Sequence, residues 1–130
     1  MANRDEWLAL ASRAEDATGP DRSLDWDILK ALGWSSIGGN VYDANYCAHQ
    51  IVPNPTGSID AIVALIEREL PGAGITLDKY WLAKPEGAVW DAKLTIGIHG
   101  GGGYSEGPSA ALALTAAFCR AMAEREQGDA

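Results

Sequence analysis

The sequence predicts an α+β fold in which helices pack on an antiparallel sheet. Three observations carry this expectation. Apolar residues recur at three- and four-residue spacing in four separate segments, the signature of helices with one buried face. Two neighbouring segments, 75–83 and 89–99, read as strands joined by the turn at 84–87. The length, 130 residues, suits one domain spanning 1–130. The expected order is helix, helix, an irregular stretch with short strands, helix, strand hairpin, helix.

The first helix is predicted over 5–17. Trp7, Leu10, Ala11 and Ala14 form its apolar face, and Asp5 and Glu6 occupy the first turn, where the helix dipole favours negative charge. Thr18-Gly19-Pro20-Asp21 ends it. The second helix is predicted over 23–32, with Leu24, Ile28 and Leu32 as its stripe and Gly33 as its stop. Residues 35–40 have loop composition, while 41–42 and 45–52 read as short extended pieces. The Pro-rich segment 53–57 is a rigid loop.

Ser58 looks like an N-cap ahead of Ile59, Ile62, Val63, Ile66 and Leu70, a helical stripe that 71–74 terminates. In 89–99, Trp90, Ala92, Leu94, Ile96 and Ile98 alternate with Asp91, Lys93, Thr95, Gly97 and His99, which gives the hairpin one buried and one polar face. The last helix runs from about 109 to 126. Leu112, Leu114, Thr115, Phe118, Cys119 and Met122 cover most of its circumference, so it is expected to be substantially buried.

Charge and composition exclude several functions. Ten Lys+Arg against 18 Asp+Glu leave a net charge of −8, the wrong sign for a dedicated DNA or RNA binder. No apolar run is long enough to cross a membrane, and residues 1–7 lack the apolar core of a signal peptide. Cys47 and Cys119 show no metal-ligand spacing, so reduced thiols are expected. A metal site from Cys47, His49 and His99 has no support from spacing. Neither a cofactor nor a metal is expected.

The segment 100–109 is the most informative. It is expected to be a glycine-rich loop between a strand and a buried helix. There Gly100, Gly101, Gly102 and Gly103 permit close approach of backbone to a ligand. The helix start at Ser109 offers unpaired N–H groups and positive dipole to an anion. Tyr104 and Ser105 add hydroxyls, and Glu106 can accept from a ribose hydroxyl or an amino group. His99 beside them is a general-base or hydrogen-bonding candidate, and equally an ordinary polar-face residue. Tyr80 or Trp81 supplies an aromatic face for stacking a base, or packs in the core. The segment is neither a P-loop nor the dinucleotide-binding fingerprint. Its other reading is a plain connector. Asp21, Asp25 and Asp27 are explained by capping and solvation. Arg22, Arg68, Arg120, Lys79, Lys84 and Lys93 are the cations available to offset a phosphorylated ligand.

Residues 14–25 (Ala14-Glu15-Asp16-Ala17-Thr18-Gly19-Pro20-Asp21-Arg22-Ser23-Leu24-Asp25), followed by Leu32-Gly33-Trp34, resemble the opening of the phage ABA-sandwich domain family of small phage and prophage proteins. Ser58-Ile59-Asp60-Ala61 and the segment from Ser105 to Leu114 are similar to that family's later helix starts. A looser similarity of size and element order links the chain to the phage anti-Thoeris sponge proteins. The resemblance implies a non-enzymatic homo-oligomer in the host cytoplasm that sequesters a cyclic ADP-ribose isomer or a cyclic oligonucleotide. Two other functions remain open at this point. One is an accessory protein that acts through protein–protein contact, which suits an acidic surface with five tryptophans. The other is a hydrolase using His99 with Ser105 or Glu106.

Overall fold

A computed structural model describes residues 2–81, 88–96 and 101–128. Four α-helices and two three-stranded antiparallel sheets make the architecture α+β. Helix α1 spans Arg4–Asp16 and starts where the Asn3 side chain accepts from the Glu6 N–H at 2.9 Å. It buries Trp7, Leu10, Ala11 and Ala14, the predicted face. Helix α2, Arg22–Ala31, is capped by Asp21, whose carboxylate accepts from the Leu24 N–H at 3.0 Å. Gly33, at φ 93°, turns the chain out of it.

The segment 35–40 departs from the loop expectation. Strands β1 (Ser35–Ile37) and β2 (Asn40–Tyr42) form a hairpin, and β3 (Ala48–His49) joins β2. Gly38 and Gly39 close the hairpin at φ 58° and 84°. A two-residue turn with both central residues left-handed matches the twist of the flanking strands, which is why Gly-Gly stands there.

Helix α3, Ile59–Glu69, starts at the predicted Ser58 cap, whose Oγ accepts from the Ala61 N–H at 3.2 Å. Strands β4 (Gly74–Trp81), β5 (Ala88–Ile96) and β6 (Gly101–Gly107) then form the larger sheet, in that order. Its register sets Leu77 opposite Ala92 and Ala92 opposite Ser105. On the other face Asp78, Asp91 and Glu106 stand in one row. The turn 84–87 and residues 97–100 lie outside the described residues. The expected hairpin is therefore two strands of a three-stranded sheet. The expected glycine loop is, from Gly101 onward, the third strand.

Helix α4, Ala110–Gly128, is the centre of the fold, buried at every position from Ala110 to Ala123 except Arg120. It lies on β6 and β5, and α1 and α3 pack against it. The expectation that α3 rests on the sheet gives way to packing chiefly on α4. Arg125 reinforces that contact by donating to the Glu69 carbonyl at 3.1 Å, at the negative end of α3. Trp7 meets Phe118 edge-on, with ring centroids 6.0 Å apart.

Gly103 and Gly107 of β6 follow from this packing, whereas Gly102 lies against the Leu94 carbonyl of β5. A Cβ built on Gly103 would lie 2.1 Å from the Ala117 carbonyl oxygen, and one on Gly107 would lie 3.0 Å from the Ala113 nitrogen. Alternate residues of β6 thus face the small stripe Ala113, Ala117 and Ala121 of α4. What approaches the strand backbone here is a helix. No helix among the described residues is long and apolar enough to cross a membrane.

Candidate functional site

The pleat of β6 separates the side chains that the sequence placed together. Tyr104 and Glu106 point to the solvent face, and Ser105 points inward and is buried. The Tyr104 hydroxyl lies 3.0 Å from both Asp91 Oδ1 and Glu106 Oε1 and donates its single proton to one of them at a time. The hydrogen bond to Asp91, then burial, then Glu106, push its ionisation well above the usual tyrosine range. Tyr104 is thus a neutral donor between two carboxylates.

Ser105 donates to Glu15 Oε2 at 2.6 Å, and Arg120 grips the same carboxylate through Nε at 3.1 Å and a terminal nitrogen at 2.5 Å. Burial opposes ionisation of Glu15. The hydrogen bonds from Arg120 and Ser105 and the Arg120 charge outweigh it and hold the carboxyl below its ordinary range. These three residues clamp α1, β6 and α4 together and border a shallow cavity with Tyr104 and Glu106.

Ser109 sits elsewhere. Its Oγ caps α4, accepting from the Leu112 N–H at 3.2 Å. With Ala110 and Ala111 it lines a groove of about 630 Å³ that also receives Ser58, Ile59 and Asp60 from the start of α3, with Trp90 alongside. Two helix N-termini therefore open into one groove. Thr56 forms part of its floor. The Thr56 N–H donates to Asp25 Oδ1 at 2.8 Å, and the Asp21 N–H donates to Thr56 Oγ1 at 2.8 Å. Thr115 Oγ1 donates to the Pro55 carbonyl at 3.0 Å. The expected rigid loop at 53–57 is fixed by these bonds.

Asp25 corrects the view that capping and solvation explain the acidic cluster. Asp21 caps, and Asp27 bridges Arg13 and Lys30 on the surface, but Asp25 is a buried clamp between α2 and the 53–57 loop. Gly101 and Gly102 stand in β6 opposite Ile96 and Thr95. Tyr80 and Trp81 pair with Val89 and Ala88, and their side chains fall outside the described set. His99 and Lys84 lie outside the described residues.

The arginines expected to offset a ligand's charge are engaged within the chain. Arg22 pairs with Asp25 at 3.2 Å, Arg68 with Asp43 at 2.8 Å and Arg120 with Glu15. Lys79 lies over the Trp90 ring, 5.5 Å from its centroid. The groove's lining holds no cationic side chain among the described residues; the two helix N-termini present their positive dipole ends to it, and Asp60 contributes a carboxylate.

A second constellation is not legible in the sequence as a unit. Asp43 is buried, and its Oδ2 accepts from His49 Nε2 at 2.9 Å and from an Arg68 terminal nitrogen at 2.8 Å. Its Oδ1 accepts from the Asn45 and Cys47 N–H groups at 2.9 and 3.0 Å. The bonds from His49, Arg68 and Cys47 hold its carboxyl far below the ordinary range, against the opposing effect of burial. Trp34 stacks on His49 with centroids 4.6 Å apart, and the Arg68 guanidinium lies 5.7 Å from the Trp34 ring. The local signal is the Asp43-Ala44-Asn45 run, a side-chain turn. Arg68 lies too far along the chain for spacing to reveal it.

No protein-family model, curated protein or solved structure matches the chain.

Proposed function

We propose that this chain is a non-catalytic binding protein that captures a cyclic nucleotide signal, a cyclic ADP-ribose isomer or a cyclic oligonucleotide, and so counteracts bacterial antiphage defence in the host cytoplasm. The observation that carries the reading is the convergence of the α3 and α4 N-termini on one groove beside Trp90. Backbone N–H groups at Ala110 and Ala111 and the positive ends of two dipoles suit a phosphate. The groove's size falls within the range of small-molecule sites. An aromatic ring at its edge offers a stacking surface that contributes about 1–3 kcal/mol per base. Ser109 is the expected site residue that lines this groove; Tyr104, Ser105 and Glu106 border the separate Glu15–Arg120 cavity. Assembly as a homo-oligomer belongs to the same proposal. Light scattering that reports a 13.7 kDa particle at micromolar concentration contradicts that part.

A second reading, an accessory protein that binds another protein, is favoured by Ile37, Tyr46 and Ile51, which are 62%, 79% and 84% exposed. One experiment separates the readings. The purified protein is incubated with cyclic dinucleotides and cyclic ADP-ribose isomers, then heat-denatured, and the supernatant is analysed by mass spectrometry. Intact ligand released on heating supports capture, converted ligand indicates an enzyme, and no depletion favours the accessory. Ser109→Asp preserves an N-cap but puts a carboxylate at the groove. It is expected to weaken capture at least about tenfold, roughly 1.4 kcal/mol, without lowering the melting temperature.

A further inference from the structure

The cavity beneath the Asp43 constellation has a chemistry different from that of the groove. It measures about 320 Å³ and lies between residues 51–54 and one face of α3. Ile51, Val52 and Pro53 form one wall. Ala61, Ala64 and Leu65 form the other, and Arg68 continues their i, i+3, i+4, i+7 line to the polar end. There Asp43 holds both Arg68 and His49 through one oxygen, so the two side chains are oriented in advance.

We infer that this cavity is a second binding site, for an uncharged planar heteroaromatic ring that presents a hydrogen-bond acceptor. The size admits one or two fused rings and lies at the lower limit of small-molecule sites. The walls are aliphatic apart from the Trp34 ring, and the polar end offers Arg68, Asn54 and His49. The Arg68 hydrogen bond to Asp43 engages one of five guanidinium N–H groups, and Glu69 lies 3.8 Å from Nε, which leaves donor capacity for an acceptor. The formal charges set the ligand's charge. Arg68, the charged side chain of the lining, is already matched by Asp43 at 2.8 Å, so an added anion must compete with that carboxylate for it. An added cation meets the guanidinium. A neutral ring meets neither cost.

This inference is independent of the nucleotide reading. The test is a titration of the full chain, followed by amide NMR in slightly alkaline buffer, with three probes of similar size: benzimidazole, uncharged there; indole-3-acetate, an anion; and benzamidine, a cation. Benzimidazole is expected to shift amides of residues 49–54 and 61–68 saturably at millimolar concentration. The charged probes should bind at least about tenfold more weakly. Ala64 is exposed at the cavity rim, so Ala64→Phe fills the space without entering the core. It should abolish the benzimidazole shifts while leaving the melting temperature and any cyclic-nucleotide capture unchanged. Ala61→Leu provides the same obstruction if Ala64→Phe melts early. The inference is overturned if benzimidazole causes no saturable shift, if both filled variants bind it as the parent does, or if a charged probe binds as tightly.

Discussion

Replacing Gly103 by alanine tests the contact on which the centre of the fold depends. The new Cβ would stand 2.1 Å from the Ala117 carbonyl oxygen, 2.8 Å from the Ala121 nitrogen and 3.1 Å from the Ala117 carbonyl carbon. All three atoms are backbone of α4, so no rotamer change relieves the overlap. Ordinary contact is restored only if helix and strand separate by more than about 1 Å, since carbon and its neighbours prefer roughly 3.5–4.0 Å. That separation loosens Leu114 and Phe118, both fully buried on the same helix. Overpacking a tight core costs about 1–3 kcal/mol, and an obstacle made of backbone puts this case at the upper end, about 3 kcal/mol. At roughly 2.1 cal/mol/K per residue the chain's unfolding entropy is about 0.27 kcal/mol/K, so the melting temperature should fall by about 11 °C. Gly19 is the control, because nothing lies within 4 Å of its added Cβ. Gly19→Ala should be neutral or stabilising by about 0.4–1 kcal/mol. Circular dichroism melts of both variants measure the difference. Ala117→Gly should not rescue Gly103→Ala, because the obstacle is the carbonyl and not the side chain. A Gly103→Ala protein that melts within a degree of the parent refutes the close helix–strand approach and restores the reading of 101–103 as a ligand loop.

Three further outcomes follow from the same geometry. Leu112→Asp and Ile66→Asp each bury an unpaired carboxylate at a side chain 1% exposed, and each should lower stability by several kcal/mol in denaturant titrations, on the order of 3–5. Asp43 and Glu15 have folded-state carboxyl pKa values below their unfolded ones, so their contribution is complete above about pH 5 and is lost as pH falls through the unfolded values toward the folded ones. Asp43→Asn should melt earlier at neutral pH and lose less on acidification, which melts taken across that window will show. Cys47 is exposed, whereas burial pushes the Cys119 thiol far above its ordinary range, so a disulfide reagent should modify one thiol rapidly and the second only after denaturation. Two equally fast thiols would contradict the central position of α4.

Local chemistry is legible in the sequence by itself. Asn3, Asp21, Ser58 and Ser109 start the four helices because a short oxygen-bearing side chain satisfies an N–H within three residues of itself. The buried stripe of α1, the Ile62, Ile66 and Leu70 part of that of α3 (Ile59 at its head is 44% exposed and Leu65 joins it) and the alternation along β5 follow from the periods of helix and strand, which depend on neighbours along the chain. The near-complete burial of α4 is legible from its apolar circumference. Tertiary structure decides the rest. Glycines at 101–103 read identically as a loop or as a strand, because what two of them accommodate lies elsewhere in the chain: the Leu94 carbonyl of β5 beside Gly102, and the α4 backbone at Ala117 and Ala121 beside Gly103. Gly-Gly at 38–39 marks a turn, but the strands it joins are three residues each and carry too little alternation to announce themselves. Asp43, His49 and Arg68 meet through one carboxylate oxygen only once α3 is folded beside β3, and the groove at Ser58 and Ser109 exists only because two helices start at the same place in space. Capping and periodicity are satisfied within a few residues and leave a pattern in sequence; packing and ion pairing join residues that only the folded chain brings together.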